Sequence, residues 1–76
     1  MDDIEKLIIS ALRESKNPLS TQDIANRVNH HWSTIQIRCL RLQNKNKING
    51  YRVGRTNIWI YKPEADEEAK LEVIRA

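Results

Sequence analysis

Apolar residues recur with a helical period in three stretches of the first 45 residues. The first stretch, residues 3–16, has one apolar stripe that consists of Ile4, Leu7, Ile8, Ala11 and Leu12. Asp2 or Asp3 can cap its start, since a short acidic side chain accepts from the first backbone N–H groups of a helix. Asn17 precedes Pro18 and is therefore pushed out of helical geometry, so the helix ends before it.

A second helix begins directly after this break. Ser20 is a good N-cap residue, and Asp23 stands three residues later as a variant of the capping box. The expected buried face consists of Ile24, Ala25 and Val28. Asn29 follows and tolerates the left-handed backbone with which many helices end.

A third helix is predicted over residues 32–45, with Ile35, Cys39 and Leu42 on its inner face. At 100° per residue, the opposite face is partly apolar and collects Ser33, Gln36, Ile37, Leu40, Arg41 and Asn44. Asn46 can close this helix in the left-handed conformation. Cys39 is therefore expected to be a core residue.

The pattern changes after Asn46 to "INGYRVGRTNIWIYK", which is rich in aromatic and β-branched residues. It predicts a hairpin with strands at 48–53 and 57–62 and "GRT" at its tip. Alternation places Ile58 with Ile60 on one side and Trp59 with Tyr61 on the other. The pattern does not decide which pair faces the core.

The last segment, "PEADEEAKLEVIRA", predicts an acidic helix over residues 63–76. A proline and acids at its start and an arginine near its end suit the helix dipole. The chain thus divides into a domain of residues 1–62 and this added helix, which either pairs two copies or covers the core.

The formal net charge of +3 is unevenly distributed along the chain. Residues 27–62, called the basic block below, contain no Asp or Glu, whereas both ends of the chain are net acidic. The cations of the block are Arg27, Arg38, Arg41, Lys45, Lys47, Arg52, Arg55 and Lys62. Such a block repels itself unless a polyanion lies beside it, and phosphate backbones are the commonest polyanions. The charge pattern therefore favours a nucleic-acid partner.

The order of these elements and the run "LSTQDIANRVNHHWSTIQIRCLRLQNKNKI" resemble the winged helix-turn-helix family of DNA-binding regulators. The similarity covers residues 4–62, and in size and style the chain is similar to small regulators of archaeal plasmids and viruses. The resemblance implies a mainly α fold with a three-helix core, a two-stranded wing and an extra C-terminal helix. Asn29 and Asn46 replace usual glycines, and His30 replaces a buried aliphatic residue, so we expect His30 to be partly buried.

The resemblance implies that helix 32–45 reads the major groove while the 48–62 wing meets the minor groove or backbone. The expected base readers are Ser33, Thr34, Gln36 and Ile37. Gln36 would pair bidentately with adenine, and Ile37 would contact thymine methyls unless it and Leu40 are covered by another protein. The expected backbone and wing contacts are His31, Trp32, Arg38, Arg41, Lys45, Lys47, Arg52, Arg55, Thr56 and Asn57.

The function that this implies is a sequence-specific regulator of transcription on double-stranded DNA. We expect a repressor, with its own promoter as one candidate target, and two protomers per site because one recognition helix reads few base pairs. Two alternatives stay open. The domain could bind proteins through the exposed apolar face of the third helix, or bind nucleic acid nonspecifically or as single strands, with Trp59 or Tyr61 stacking on bases.

Metal binding and catalysis find little support in the sequence. His30, His31 and Cys39 are possible ligands, but adjacent histidines point apart and paired zinc-ligand spacings do not occur. A nucleophile motif or phosphate-binding glycine loop is likewise missing from the sequence. We expect no enzyme, metal, cofactor or small-molecule ligand. The longest apolar runs are too short to span a bilayer, and we expect a cytoplasmic protein without membrane contact.

Overall fold

Three helices and a small sheet make up residues 1–63, which are the part of the chain that the computed structural model describes. The helices are α1 (Asp3–Glu14), α2 (Thr21–Val28) and α3 (Trp32–Asn44), and the strands are β1 (Leu19–Ser20), β2 (Ile48–Val53) and β3 (Thr56–Tyr61). The C-terminal helix predicted for residues 63–76 lies, apart from Pro63, outside the described residues.

Side-chain caps determine where the first two helices begin. The Asp2 carboxylate accepts a hydrogen bond from the Glu5 backbone N–H at 2.8 Å, which satisfies one of the unpaired donors of α1. Ser20 and Asp23 form the predicted capping box, with reciprocal hydrogen bonds of 3.0 and 3.1 Å. α1 ends two residues earlier than expected, because Ser15 already has extended backbone.

Two asparagines in left-handed conformation end α2 and α3, as the sequence predicted. Asn29 has φ 57° and Asn46 has φ 64°. After α3, the Asn46 N–H donates to the Gln43 carbonyl and the Lys47 N–H to the Leu42 carbonyl, both at 2.9 Å. These are the two hydrogen bonds of a Schellman motif, and they turn the chain directly into β2.

The sheet contains a strand that the sequence did not predict. Its order is β1-β3-β2 with antiparallel neighbours, so the hairpin wing of β2 and β3 gains β1 as a third strand. In β1, Leu19 pairs with Trp59 and Ser20 with Ile58. Two residues carry no recognisable period, and β1 exists only because β3 lies beside it. It joins the wing to the start of α2.

The core of the described residues is aliphatic apart from Cys39 and Trp59. Its buried residues include Ile8, Ile24, Ile35, Leu42, Ile48 and Trp59, and Cys39 is fully buried as predicted. Trp59 therefore decides the orientation of β3: Trp59 and Tyr61 pack toward the core, and Ile58 and Ile60 are half-buried on the other side. Leu7 is an exception to the predicted stripe of α1, because its side chain is exposed.

This arrangement is the winged helix-turn-helix fold predicted from the sequence: α2, a short turn and α3 pack on α1, and the hairpin follows α3. Within residues 1–63 there is no helix that is both long enough and apolar enough to cross a bilayer.

Candidate nucleic-acid interface

Helix α3 presents three different strips along its length. Ile35, Cys39 and Leu42 are buried in the core. The opposite strip is exposed, with Ile37 55% and Leu40 44% accessible. Ser33 is exposed on this outer strip, while Thr34 is half-buried on the flank. Of these three predicted base readers, Ser33 and Ile37 are therefore open to a partner, and Thr34 is less accessible.

His31 forms the N-cap of α3. Its ring Nδ1 accepts a hydrogen bond from the Ser33 backbone N–H at 3.2 Å and lies 2.8 Å from the Ser33 Oγ. The sequence predicted His31 only as a DNA contact, because histidine is not among the common capping residues. His30 is exposed, and the prediction that it is partly buried is wrong. The turn after Asn29 runs along the surface, so it leaves His30 outside the core.

Gln36, the fourth predicted base reader, is held by a hydrogen bond to Thr21 of α2. Its Oε1 accepts from the Thr21 hydroxyl at 2.7 Å, and the Trp59 indole Nε1 donates to the same hydroxyl oxygen at 2.9 Å. Gln36 is half-buried, whereas Thr21 and Trp59 are buried. Thr21 had no predicted role at this surface, and Trp59 was predicted only as a stacking residue in the single-strand alternative. The contact was missed because it joins residues far apart in the chain.

Two cations of the basic block, the half-buried Arg38 and the exposed Lys45, pair with acidic side chains at the start of α1. Arg38 Nη1 lies 2.8 Å from Asp2 Oδ2, and Lys45 Nζ lies 3.5 Å from Oε1 of the buried Glu5. The pKa of Asp2 is lowered, first by the hydrogen bond from the Glu5 N–H and then by the nearby Arg38 and Arg41. Arg38 and Lys45 therefore compensate acidic groups of α1.

Other cations of the basic block remain exposed. Arg27, Arg41, Lys47, Arg52 and Arg55 have exposed side chains, and none forms an ion pair with another residue in 1–63. Lys62 instead donates a hydrogen bond to the Asn46 side-chain oxygen. Apart from Arg27 at the end of α2, these exposed cations of the basic block lie on α3, the loop after it and the wing.

The wing tip, Gly54 and Arg55, lies near the start of α3. Gly54 has φ 60°, and the next residue lacks a positive φ, as in a type II′ hairpin turn. A cleft between the wing and the helices is lined by Trp32, Arg55, Thr56 and Asn57 together with residues 20–22. The structure therefore brings four predicted contact residues, from α3 and the wing, around one surface depression.

The aromatic residues divide into buried and exposed. Trp59 is buried and does not offer a stacking face, contrary to the single-strand alternative. Tyr61 is half-buried, with the Arg13 guanidinium 5.1 Å from its ring centre. Trp32 is 46% exposed at the start of α3.

Residues 1–63 contain no group of three or more His, Cys, Asp or Glu side chains that could hold a metal ion. Burial raises the pKa of the Cys39 thiol to about 12, so the thiol stays protonated at neutral pH.

The sequence matches no family model and no curated protein. Among solved structures, the chain is similar to HOP2, from work on its DNA recognition and protein interaction domains (TM-score 0.72, 19% identity, 78% of this chain and 98% of that chain). It is also similar to Bordetella bronchiseptica BpsR, whose DNA binding is regulated by 6-hydroxynicotinic acid (TM-score 0.77, 15% identity). That alignment covers 96% of this chain and 53% of BpsR, so the chain spans about half of BpsR.

A third similar structure is AF1382 from Archaeoglobus fulgidus, with a TM-score of 0.69 and 20% identity over 93% of this chain and 81% of that chain. At these identities the similarity establishes a shared fold.

Proposed function

We propose that the protein is a sequence-specific regulator of transcription that binds double-stranded DNA. Helix α3 enters the major groove, the wing contacts the minor groove or backbone, and the bound protein represses by occluding a promoter. The observation that carries this proposal is the cleft in which Trp32 of α3 and Arg55, Thr56 and Asn57 of the wing come together. A helix and a wing that face the same way can contact adjacent parts of one duplex.

The outer strip of α3 suits the major groove. It is uncharged at Ser33 and Ile37, so base edges can approach without a competing ion pair. The Ile37 side chain is 55% exposed and offers apolar contact to a thymine methyl group. Trp32 and His31 stand at the helix entry, where side chains of a recognition helix meet the groove or its phosphates.

The exposed cations suit the phosphate backbone. Arg41 and Lys47 lie on and after α3, and Arg52 and Arg55 lie on the wing. Arg55 at the tip is the side chain that we assign to a narrow, electronegative minor groove. Arg38 and Lys45 are secondary candidates, because each must exchange a carboxylate of α1 for a phosphate.

The solved structures add indirect support, since DNA recognition is reported for HOP2 and DNA binding for BpsR. We further propose that two copies of the protein occupy one site. A single recognition helix reads only a few base pairs, and a pair of half-sites supplies the missing specificity.

Selection from a randomised duplex library tests the proposal, followed by titration of the selected duplex against salt. We expect an enriched, repeated motif and steeply salt-dependent binding. Salt-dependent binding without enrichment would contradict sequence specificity and favour a nonspecific binder. If no duplex binds, the DNA-binding proposal is wrong.

Arg55→Ala sharpens the test of the wing. If Arg55 meets one phosphate, the slope of log K against log salt becomes shallower by roughly 0.9. Lys16→Ala is the matched control, because it removes the same charge from an exposed position next to α1, outside the basic block. Equal slopes for the two variants would remove Arg55 from the interface.

A second candidate function is binding of a partner protein to α3. The exposed Ile37 and Leu40 side chains favour it, since adjacent apolar groups on one helix face often mark a protein interface. The library experiment separates the two, because this alternative predicts no selected duplex.

A further inference from the structure

Thr21 stands in the middle of a hydrogen-bond chain from the wing to α3. The Trp59 indole N–H can only donate, so the Thr21 oxygen accepts in that 2.9 Å bond. The single hydroxyl proton of Thr21 is then directed to Gln36, whose Oε1 accepts at 2.7 Å. A hydroxyl oxygen can accept twice, so the indole alone does not set this direction. It follows from the Thr21 proton, which is buried and has Gln36 Oε1 as its acceptor.

These hydrogen bonds engage only the oxygen, Oε1, of the Gln36 side-chain amide. Its Nε2 has no hydrogen-bond partner among residues 1–63. That part of the chain also contains no buried side-chain nitrogen or oxygen without a partner, so Nε2 is accessible to solvent. Gln36 therefore presents two N–H donors to a ligand, while its acceptor is held by Thr21.

The two residues behind Gln36 are held by packing. Thr21 is 3% exposed and Trp59 2% exposed. The indole lies against Gly50 so closely that a Cβ there would be 2.3 Å from Trp59 Cζ3. If Gln36 turned its oxygen toward a base, the buried Thr21 hydroxyl would lose its acceptor, which is unfavourable.

We propose that Thr21, oriented by Trp59, is a positioning residue that makes Gln36 a donor-only reader of DNA. This rests on the proposed function and names its specificity at one base pair. A donor pair matches a base with acceptors on its major-groove edge, guanine through O6 and N7 or thymine through O4. Adenine is disfavoured there, because its N6 amino group needs the glutamine oxygen that Thr21 holds. The bidentate pairing with adenine expected from the sequence is replaced by this assignment.

The test compares library selections by the wild type, Thr21→Val, Thr21→Ser and Gln36→Leu. Gln36→Leu identifies the base pair, as the one whose preference it removes. At that pair we expect guanine or thymine for the wild type and for Thr21→Ser, which keeps the hydroxyl. Thr21→Val removes the hydroxyl at nearly constant shape, frees Oε1 and should admit adenine. The gain for adenine is expected to be roughly two- to tenfold, the effect of one hydrogen bond.

A base analogue supplies a readout that a merely structural role would not change. Adenine at the identified pair is replaced by purine, which lacks the N6 amino group. Wild-type affinity should stay the same, whereas Thr21→Val should bind the purine duplex roughly two- to tenfold more weakly than the adenine duplex. The wild-type measurement alone tests the assignment if Thr21→Val does not fold.

Three results overturn the inference and leave the proposed function intact. In the first, wild-type binding weakens when the N6 amino group is removed. In the second, Thr21→Val and the wild type select the same sequences. In the third, Gln36→Leu selects the same base as the wild type at every pair. A wild type that enriches no motif overturns the proposed specificity and this inference together.

Discussion

At the root of the wing, Trp59 is buried against Gly50, and its indole N–H donates into α2. At the tip, Gly54 and Arg55 are exposed, and a Cβ built on Gly54 meets no atom within 4 Å. The same hairpin thus carries two glycines with opposite requirements. Position 50 requires glycine because a Cβ there would overlap the Trp59 ring. Position 54 favours glycine because its φ is positive.

The difference assigns separate tasks to the two ends of the wing. The root joins β1, β3 and α2 through the Leu19 and Ser20 pairing and the Thr21 hydrogen bond, so it orients the wing relative to α3. The tip has no packing of that kind, and its residues are available for contact. Substitutions at the root should therefore change stability, and substitutions at the tip should change binding.

Trp59→Ala is expected to have the largest effect. It removes a buried aromatic side chain and leaves the Thr21 hydroxyl without its donor, so the free energy of unfolding should fall by about 3–5 kcal/mol. Urea unfolding measures it. Tyr51→Ala, exposed on the other face of the same hairpin, is the control and should cost much less. Equal losses would contradict the distinction between the buried and exposed faces of the wing.

Gly50→Ala should come next. The added methyl group would stand 2.3 Å from the Trp59 ring, so the ring or the strand must move. Overpacking of this kind costs about 1–3 kcal/mol of unfolding free energy. The near-ultraviolet circular dichroism of the protein should change as well, because the indole shifts. An unchanged midpoint in urea would show that Trp59 is not held at this position.

Gly54→Ala tests the tip for a purely conformational cost. Space is free around the added methyl, but φ is 60°, which costs an alanine about 1 kcal/mol. Gly54→Asn should cost less, since asparagine tolerates this backbone conformation. A loss as large as that of Gly50→Ala would mean that the tip is packed.

Arg55→Ala should have the smallest effect on stability, within about 0.5 kcal/mol of the wild type in urea unfolding. Its expected effect on the salt dependence of DNA binding is large by comparison. A variant that unfolds more easily and also binds less would remove the separation between root and tip.

Much of the helical architecture was predictable from local signals. Asp2, the Ser20 and Asp23 pair, Asn29 and Asn46 act on backbone groups only a few residues away, so the sequence around them predicts the ends of the helices. The hairpin followed from its alternation and from Gly54. The strand β1 was missed because two residues become a strand only when β3 pairs with them.

The structure gives the exposure and the intramolecular contacts of the residues predicted to bind DNA. Ile37, Arg41 and Arg55 are exposed as a binding surface requires. Arg38 and Lys45 turned out to have acidic partners on α1, and the alternation of β3 did not indicate that Trp59 was the buried residue. Gly50, opposite Trp59 in the sheet, was the available signal, because the smallest residue leaves room for the largest.

The order of the elements, the helix caps and the acid-free basic block follow from the amino-acid sequence, because they depend on neighbouring residues or on composition. The pairing of cations with acids at the start of α1, the inward orientation of the Trp59 indole and the engaged oxygen of Gln36 arise from the folded arrangement. Those outcomes depend on contacts across 40, 38 and 15 residues of chain. Such contacts form only when the core brings distant segments together, and no local period encodes them.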